Sequence, residues 1–220
     1  LGGKQLPLWP EPLRSAPNEV VRSALFNVRN HRYAREFLSE KDIVVIGEGT
    51  ITFTGQELRQ DDEDVWLQVL HIARGKPMDE GVEFTPASFR KAIGWPKRTH
   101  YTQKLLSCLK RLQATSMAIY SNRLQKGISL SLIRKFVWQD EHGNKLDRWF
   151  IWVEPEILKL FGGFQYTMVE WQTRLSLTPL AKWLHGFYQS HADAYPMKVD
   201  TLRKGCGSKT KDLKKFRQML

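Results

Sequence analysis

The stretch GWPKRTHYTQKLLSCLKRLQATSMAIY, Gly94 to Tyr120, carries Lys97, Arg98, Lys104, Lys110 and Arg111 and no carboxylate. Wound as a helix, it sets Leu105, Leu109 and Leu112 along one side, with Leu106 and Cys108 beside them. His100, Gln103, Lys104, Ser107 and Arg111 then line the other side. That second set has a definite chemistry. Gln pairs through two hydrogen bonds with adenine, and Lys or Arg with guanine, at ~1–3 kcal/mol of discrimination per good pair. Lys97 and Arg98, at the helix start, suit phosphate oxygens, which fix position without reading sequence. The closing SKTKDLKKFRQML offers Lys209, Lys211, Lys214, Lys215 and Gln218 in the same way. Arg123 and Lys126 fall near a predicted hairpin tip, placed to reach a backbone or a minor groove.

Covalent chemistry is not predicted. GCGSKT, Gly205 to Thr210, departs from a phosphate-binding loop because Ser208 separates the glycine from the lysine. The six histidines form no His-x-His or His-Glu-x-x-His pair, and neither Cys108 nor Cys206 has a neighbour at zinc-ligand spacing. His31, Arg32 and Tyr33 are adjacent, but a recombinase needs arginines converging on one phosphate, which adjacency does not supply. Trp66, Trp149, Trp152, Trp171 and Trp183 have the rings to stack bases of a single strand, yet they occupy apolar periodic positions and read as core. The expectation is no catalytic site, no cofactor and no metal. Two cysteines 98 residues apart fit a reduced, cytosolic protein. No apolar run approaches the ~18 residues of a membrane span, and the N-terminus lacks the order of a signal peptide.

The elements that must hold the basic faces follow from apolar spacing. Residues 1–17, with four prolines and two glycines, read as an extended arm with no core of its own. From Asn18 to Arg35, Val21, Leu25 and Val28 suggest a helix, and DIVVIG with TITFTG suggests a hairpin. QDDEDVWLQVLHIARG reads as a helix with Val65, Val69 and Ile72 on one face and acids in its first turn. FTPASFRKAIGW reads as a second, with Thr85 as N-cap, Pro86 next, Phe89 and Ile93 inward and Gly94 as stop. After Thr115 the period changes to strands, so three helices precede a β-hairpin, the order of a winged helix-turn-helix. A second such unit starts near Thr178, with TPLAKWLHGFYQSH, MKVDTLRKG and a last helix capped by Ser208 with Leu213, Phe216 and Leu220 inward. No hairpin follows, so this unit reads as truncated before its wing. The predicted fold is α+β: an arm at 1–17, then two tandem winged-helix domains at 18–155 and 156–220.

Charge agrees with this layout. The 220 residues carry a formal net charge of +11 and a pI near 9.7, which points to a polyanionic partner. From Phe84 to Gln139, 56 residues, there are 11 Lys and Arg and no Asp or Glu. That window spans the proposed helix-turn-helix and its wing. From Pro196 to Leu220 eight basic residues face two acids.

RSALFNVRN, ITFTGQELRQDDEDVWLQVL and SLTPLAKWLHGFY, within Asn18 to Leu220, resemble the C-terminal part of TrfA-type plasmid replication initiators. The resemblance implies two winged-helix domains binding direct repeats (iterons) of origin DNA, with monomers as the binding form and dimers inactive there. It further implies opening of an AT-rich segment, single-stranded DNA binding, and recruitment of the replicative helicase and host initiator. KQLPLW adds a second likeness: Gln5, Leu6, Leu8 and Trp9 resemble the Gln-Leu-x-Leu-Phe peptide that docks on the β sliding clamp, with Pro7 and Trp9 departing from the commonest form. The alternative is a two-domain winged-helix transcriptional repressor. It would bind an inverted repeat as a symmetric dimer, where an initiator binds tandem repeats.

Overall fold

The computed structural model describes residues 5–121, 126–193 and 195–220, with Lys126 and Phe164 described by backbone alone. The elements are β1 (Leu13–Pro17), α1 (Asn18–Val21), β2 (Phe26–Asn27), β3 (Phe37–Ile43), β4 (Thr50–Gln56), β5 (Leu58–Arg59) and α2 (Gln60–Ala73). There follow β6 (Val82–Phe84), α3 (Pro86–Ala92), α4 (Thr99–Gln113), β7 (Ser116–Ser121), β8 (Lys126–Leu130), β9 (Ile133–Gln139) and β10 (Lys145–Val153). A 3₁₀ segment (Pro155–Phe164) leads to β11 (Tyr166–Glu170), α5 (Trp171–Ser176), α6 (Pro179–Gln189), α7 (Val199–Gly205) and α8 (Leu213–Arg217). The chain is mixed α+β.

Helices α2, α3 and α4 pack together and against an antiparallel sheet of order β6-β10-β9. Thr85 caps α3 by accepting from the Ser88 N–H at 3.1 Å, and Phe89 and Ile93 are each 2% exposed. Gly94 ends the turn at φ +69°, a conformation that favours glycine. Leu105, Cys108, Leu109 and Leu112 form the buried side of α4, as their spacing predicts.

Strands β7 and β8 do not join this sheet. They extend the β3–β4 hairpin into a four-stranded antiparallel sheet of order β3-β4-β7-β8. Ile51, Phe53, Met117, Ile119, Ile128 and Leu130 alternate onto its buried face. The strands that flank the expected tip, β7 and β8, therefore belong to a different sheet from the one under the helices. Arg123 lies outside the described residues, and Lys126 opens β8. The hairpin that does cover the helices turns at Asp140–Asn144, where Asp140 Oδ1 accepts from the N–H groups of His142 and Asn144 at 2.9 and 2.8 Å.

Three further expectations are corrected. The helix predicted over 18–35 is one turn, α1; the chain then runs as β2, parallel to β5. Phe26 and Asn27 are both buried, so β2, whose successive side chains point to opposite faces, is covered on both. The arm is not without a core: Leu6 is fully buried, Trp9 is 4% exposed, and β1 pairs with β11 in register from Leu13↔Glu170 to Pro17↔Tyr166. Trp9 stacks on Phe161, and its indole N–H donates to His71 Nδ1 at 3.1 Å. Residues 1–4 of the arm lie outside the described residues. The boundary expected at 155/156 also divides residues that pack together, because Ile157, Leu160, Phe161 and Trp171 share the core of α2–α4. A second, smaller core gathers Leu180, Trp183, Phe187, Leu202, Cys206 and Phe216.

GCGSKT finds its explanation in this smaller core. A Cβ on Gly205 would stand 2.3 Å from Ile46 Cδ1, and one on Gly207 (φ +67°) 2.6 Å from Asn27 Cβ. Gly205 lets the chain pass close to Ile46 and Gly207 close to the end of β2, where the Cys206 carbonyl accepts from the Val28 N–H at 3.1 Å.

Candidate nucleic-acid interface

Helix α4 presents His100, Gln103, Ser107 and Lys110 to solvent, with Lys97 and Arg98 exposed just before it. Gln103, Ser107 and Lys110 follow the i, i+4, i+7 spacing of one helix face. Ser107 Oγ donates back to the Gln103 carbonyl at 2.9 Å. Lys110 Nζ lies 5.0 Å from the centroid of the Trp138 ring. Lys110, outside the predicted set, shares this exposed face through its step of three from Ser107. Buried Arg90 sets the angle between α3 and α4, donating to the carbonyls of Pro86, Pro96 and Arg98 at 3.1–3.2 Å.

Two members of the predicted face are engaged elsewhere. Arg111 donates through Nε and Nη2 to Asp62 Oδ1 at 3.0 and 2.8 Å, and its side chain is only 14% exposed. Lys104 stands 3.2 Å from Asp61 Oδ2 and 4.4 Å from the Trp95 ring centroid. The acids of the first turn of α2 are thus not a solvated dipole cap. Asp62, Glu63 and Asp64 are buried, and Asp62 also accepts from Arg35 at 2.6 Å and from the Arg59 N–H at 2.9 Å. Burial, then the neighbouring Asp61 charge, push the Asp62 carboxyl up, with Arg111 and Arg35 opposing. Burial also acts to raise Asp61, but Arg35 and then Lys104 outweigh it and hold that carboxyl below its ordinary value.

The next two acids point to the second unit. Arg174, 1% exposed, donates to Asp64 Oδ1 at 2.9 Å and to Gln60 Oε1 at 3.0 Å, and stands 3.0 Å from Glu63 Oε2; Lys182 pairs with Asp64 as well.

Helix α8 begins later than predicted. Asp212, not Ser208, is its N-cap, accepting from the Lys214 and Lys215 N–H groups at 2.8 and 3.3 Å. A carboxylate at the cap also complements the helix dipole, which a hydroxyl does less well. Of the three residues expected inward, only Phe216 is buried; Leu213 and Leu220 are 42% and 48% exposed. Lys211, Lys214, Lys215 and Gln218 are exposed, while both carboxylate oxygens of Glu36 accept from Lys209 at 2.6 Å. Arg29, Lys209, Lys211 and Lys215 share a cleft of about 810 Å³ with Thr178 and Pro179 at the start of α6. Among the described residues no group of three or more His, Cys, Asp or Glu is placed to hold a metal ion, and no helix is long and apolar enough to cross a membrane.

The chain belongs to the TrfA protein family, whose model matches residues 4–220. It is 38% identical over 214 residues to the plasmid replication initiator protein TrfA of Escherichia coli, an alignment that covers 96% of this chain and 56% of that protein. Two crystal structures of domains 2 and 3 of RctB share the fold. One, a selenomethionine derivative, superposes with a TM-score of 0.64 at 10% identity, covering 92% of this chain and 81% of that one. The other gives 0.60 at 12% identity, covering 92% and 80%.

Proposed function

We propose that this chain is the DNA-binding part of a plasmid replication initiator and reads tandem direct repeats of origin duplex. In this reading α2, β6, α3, α4, β9 and β10 form one winged-helix unit, and α6, α7 and α8 form the helices of a second. The observation that carries it is the outer side of α4, where His100, Gln103, Ser107 and Lys110 stand exposed with no carboxylate among them. Gln103 and Lys110 are the base-reading candidates; Lys97 and Arg98 take phosphates. Opening of an AT-rich segment, single-strand binding and recruitment of the helicase and host initiator complete the proposal, on family grounds. A repressor has no observation in its favour. Docking on a sliding clamp through Gln5, Leu6, Leu8 and Trp9 requires the arm to leave its seat first, because Leu6 and Trp9 are core residues here.

The test is fluorescence anisotropy with a tandem-repeat origin duplex, an inverted-repeat duplex and a shuffled duplex. Gln103→Ala and Lys110→Ala are expected to weaken repeat binding about 5- to 150-fold, the equivalent of ~1–3 kcal/mol, and to spare the shuffled duplex. Lys97→Ala is expected to weaken both alike. Equal losses on both duplexes for Gln103→Ala and Lys110→Ala sink the reader assignment, and preference for the inverted repeat favours a repressor.

A further inference from the structure

The His31-Arg32-Tyr33 triplet has no part in the interface described so far, yet the fold builds a support for it. Arg59, 4% exposed, donates to three carbonyls of this loop: Asn30 and Tyr33, each at 2.9 Å, and Ala34 at 3.1 Å. Asn30 Oδ1 accepts from the Arg32 N–H at 2.9 Å, and the Asn30 carbonyl accepts from the Tyr33 N–H at 3.2 Å, which closes a turn. Arg29 lies 5.9 Å from the Tyr33 ring centroid. His31, Arg32 and Tyr33 all stand in solvent, Tyr33 at 64% exposure. Arg32 makes no side-chain hydrogen bond or ion pair among the described residues.

Contacts on both sides fix where this turn sits. On one side Arg35 joins it to Asp61 and Asp62, the same carboxylates that hold Lys104 and Arg111 of α4. On the other side Arg29 and Lys209 share Glu36, which ties the loop to the basic approach to α8. Val28, Arg29, Asn30 and Tyr33 also form one wall of the cleft whose other wall carries Lys209, Lys211 and Lys215. Of the exposed acids at this junction, Glu36 is held by two cations and Asp212 caps α8. A rigid, basic and aromatic turn therefore stands between the two basic helices.

We infer that the Asn30–Tyr33 turn is a third DNA contact, which lays Arg32 against the phosphate backbone of duplex running between α4 and α8. The inference rests on the duplex-binding reading and adds a contact that reads no bases. A backbone held by a buried arginine fixes where the guanidinium starts from, so only side-chain freedom is lost when it meets a phosphate.

The experiment uses the full chain and a duplex that the unmutated protein enriches from a random-sequence pool. Arg32→Ala is compared with Lys76→Ala, an equal loss of charge at the exposed far end of α2, about 20 Å along that helix from the loop. Arg32→Ala is expected to lower the slope of log K against log salt by about 1. At 0.15 M salt it weakens binding about fivefold, which is what a slope of ~0.9 gives relative to 1 M. The loss is the same on a shuffled duplex, and hydroxyl-radical protection disappears from the backbone between the two helix footprints. Lys76→Ala is expected to leave slope and footprint as they are. An unchanged slope and footprint for Arg32→Ala, or equal changes in both variants, overturns the turn as a contact while leaving the reader helices intact. A protein that enriches no duplex overturns both readings.

Discussion

Arg174→Met tests whether the buried charges at the start of α2 are structural. Arg174 stands 3.0 Å from Glu63 Oε2 and donates to Asp64 at 2.9 Å, with 1% of it exposed. Methionine approximates the volume and removes the charge. Asp64 keeps Lys182, so the exposed consequence falls on Glu63, which is 6% exposed. Breaking a buried pair by removing one partner costs about 3–5 kcal/mol. Glu63 has a way out, because burial already pushes its carboxyl above the ordinary 4.5, and without Arg174 it rises further and takes a proton. That proton limits the Glu63 penalty to about 1.4 kcal/mol per pH unit above 4.5: about 3.4 at pH 7 and about 1.4 at pH 5.5. The sign follows from proton counting: above pH 4.5 the folded variant holds a proton that the unfolded chain has released, so its stability falls as pH rises. Urea unfolding followed by tryptophan fluorescence at both pH values measures this. Arg174→Met is expected to lose up to about 2 kcal/mol more, relative to wild type, at pH 7 than at pH 5.5, the ceiling being lowered by the pH dependence that the raised wild-type Glu63 already has, and adding Glu63→Gln is expected to remove that difference. A variant within 1 kcal/mol of wild type at pH 7, or a penalty equal at both pH values, refutes the reasoning.

Arg111→Ala is expected to act on stability before it acts on DNA. It removes two charge-assisted bonds from buried Asp62, which keeps Arg35; a loss of about 2 kcal/mol, or about 4–8 °C in Tm, follows. Differential scanning calorimetry decides it, and an unchanged Tm with a loss confined to repeat duplex restores Arg111 as a reader. His71, buried beside Trp9, titrates at about 4, held down by burial first and then by Arg14, against the pull of Glu11. A histidine lowered in the fold contributes stability that is complete above its unfolded value near 6.5 and is lost as pH falls towards 4. Wild type is expected to lose about 2.5 kcal/mol more than His71→Gln between pH 7 and pH 4.5 in urea titrations; parallel losses rule this out.

How much of the molecule the sequence discloses depends on the range of the contacts involved. The α3 cap pair Thr85-Pro86 and stop Gly94, and the leucine side of α4, are local, and their chemistry reads directly from neighbouring residues. The arm is different. Pro-rich spacing rules out a helix over Leu6 to Trp9, but the burial of Trp9 depends on Phe161 and His71, and β1 depends on β11 some 150 residues away. The 56-residue window without acids has the same limit. It locates the basic surface, yet it hides that Arg111 and Lys104 are partly neutralised, because Asp61 and Asp62 lie upstream of the window and reach it only through packing of α2 against α4. Lys110 and Gln103 keep the exposed face for a simple geometric reason: they point away from α2.

The run Asp61-Asp62-Glu63-Asp64 then takes on a role that a dipole cap does not explain. Successive helical residues point about 100° apart, so four in a row address the whole surround of the helix end. Asp61 and Asp62 hold Arg35, Lys104 and Arg111 of the loop and α4; Glu63 and Asp64 hold Arg174 and Lys182 of α5 and α6. One helical turn therefore ties together α4, the 29–36 loop and the unit that carries α8. On the proposed duplex-binding reading α4 and α8 must keep a spacing that the duplex sets, and a buried ionic hub favours one geometry because each charge it holds is costly in any other. On that reading, weakening the hub at Arg174 should weaken duplex binding, although Arg174 itself, 1% exposed, has no surface with which to touch DNA.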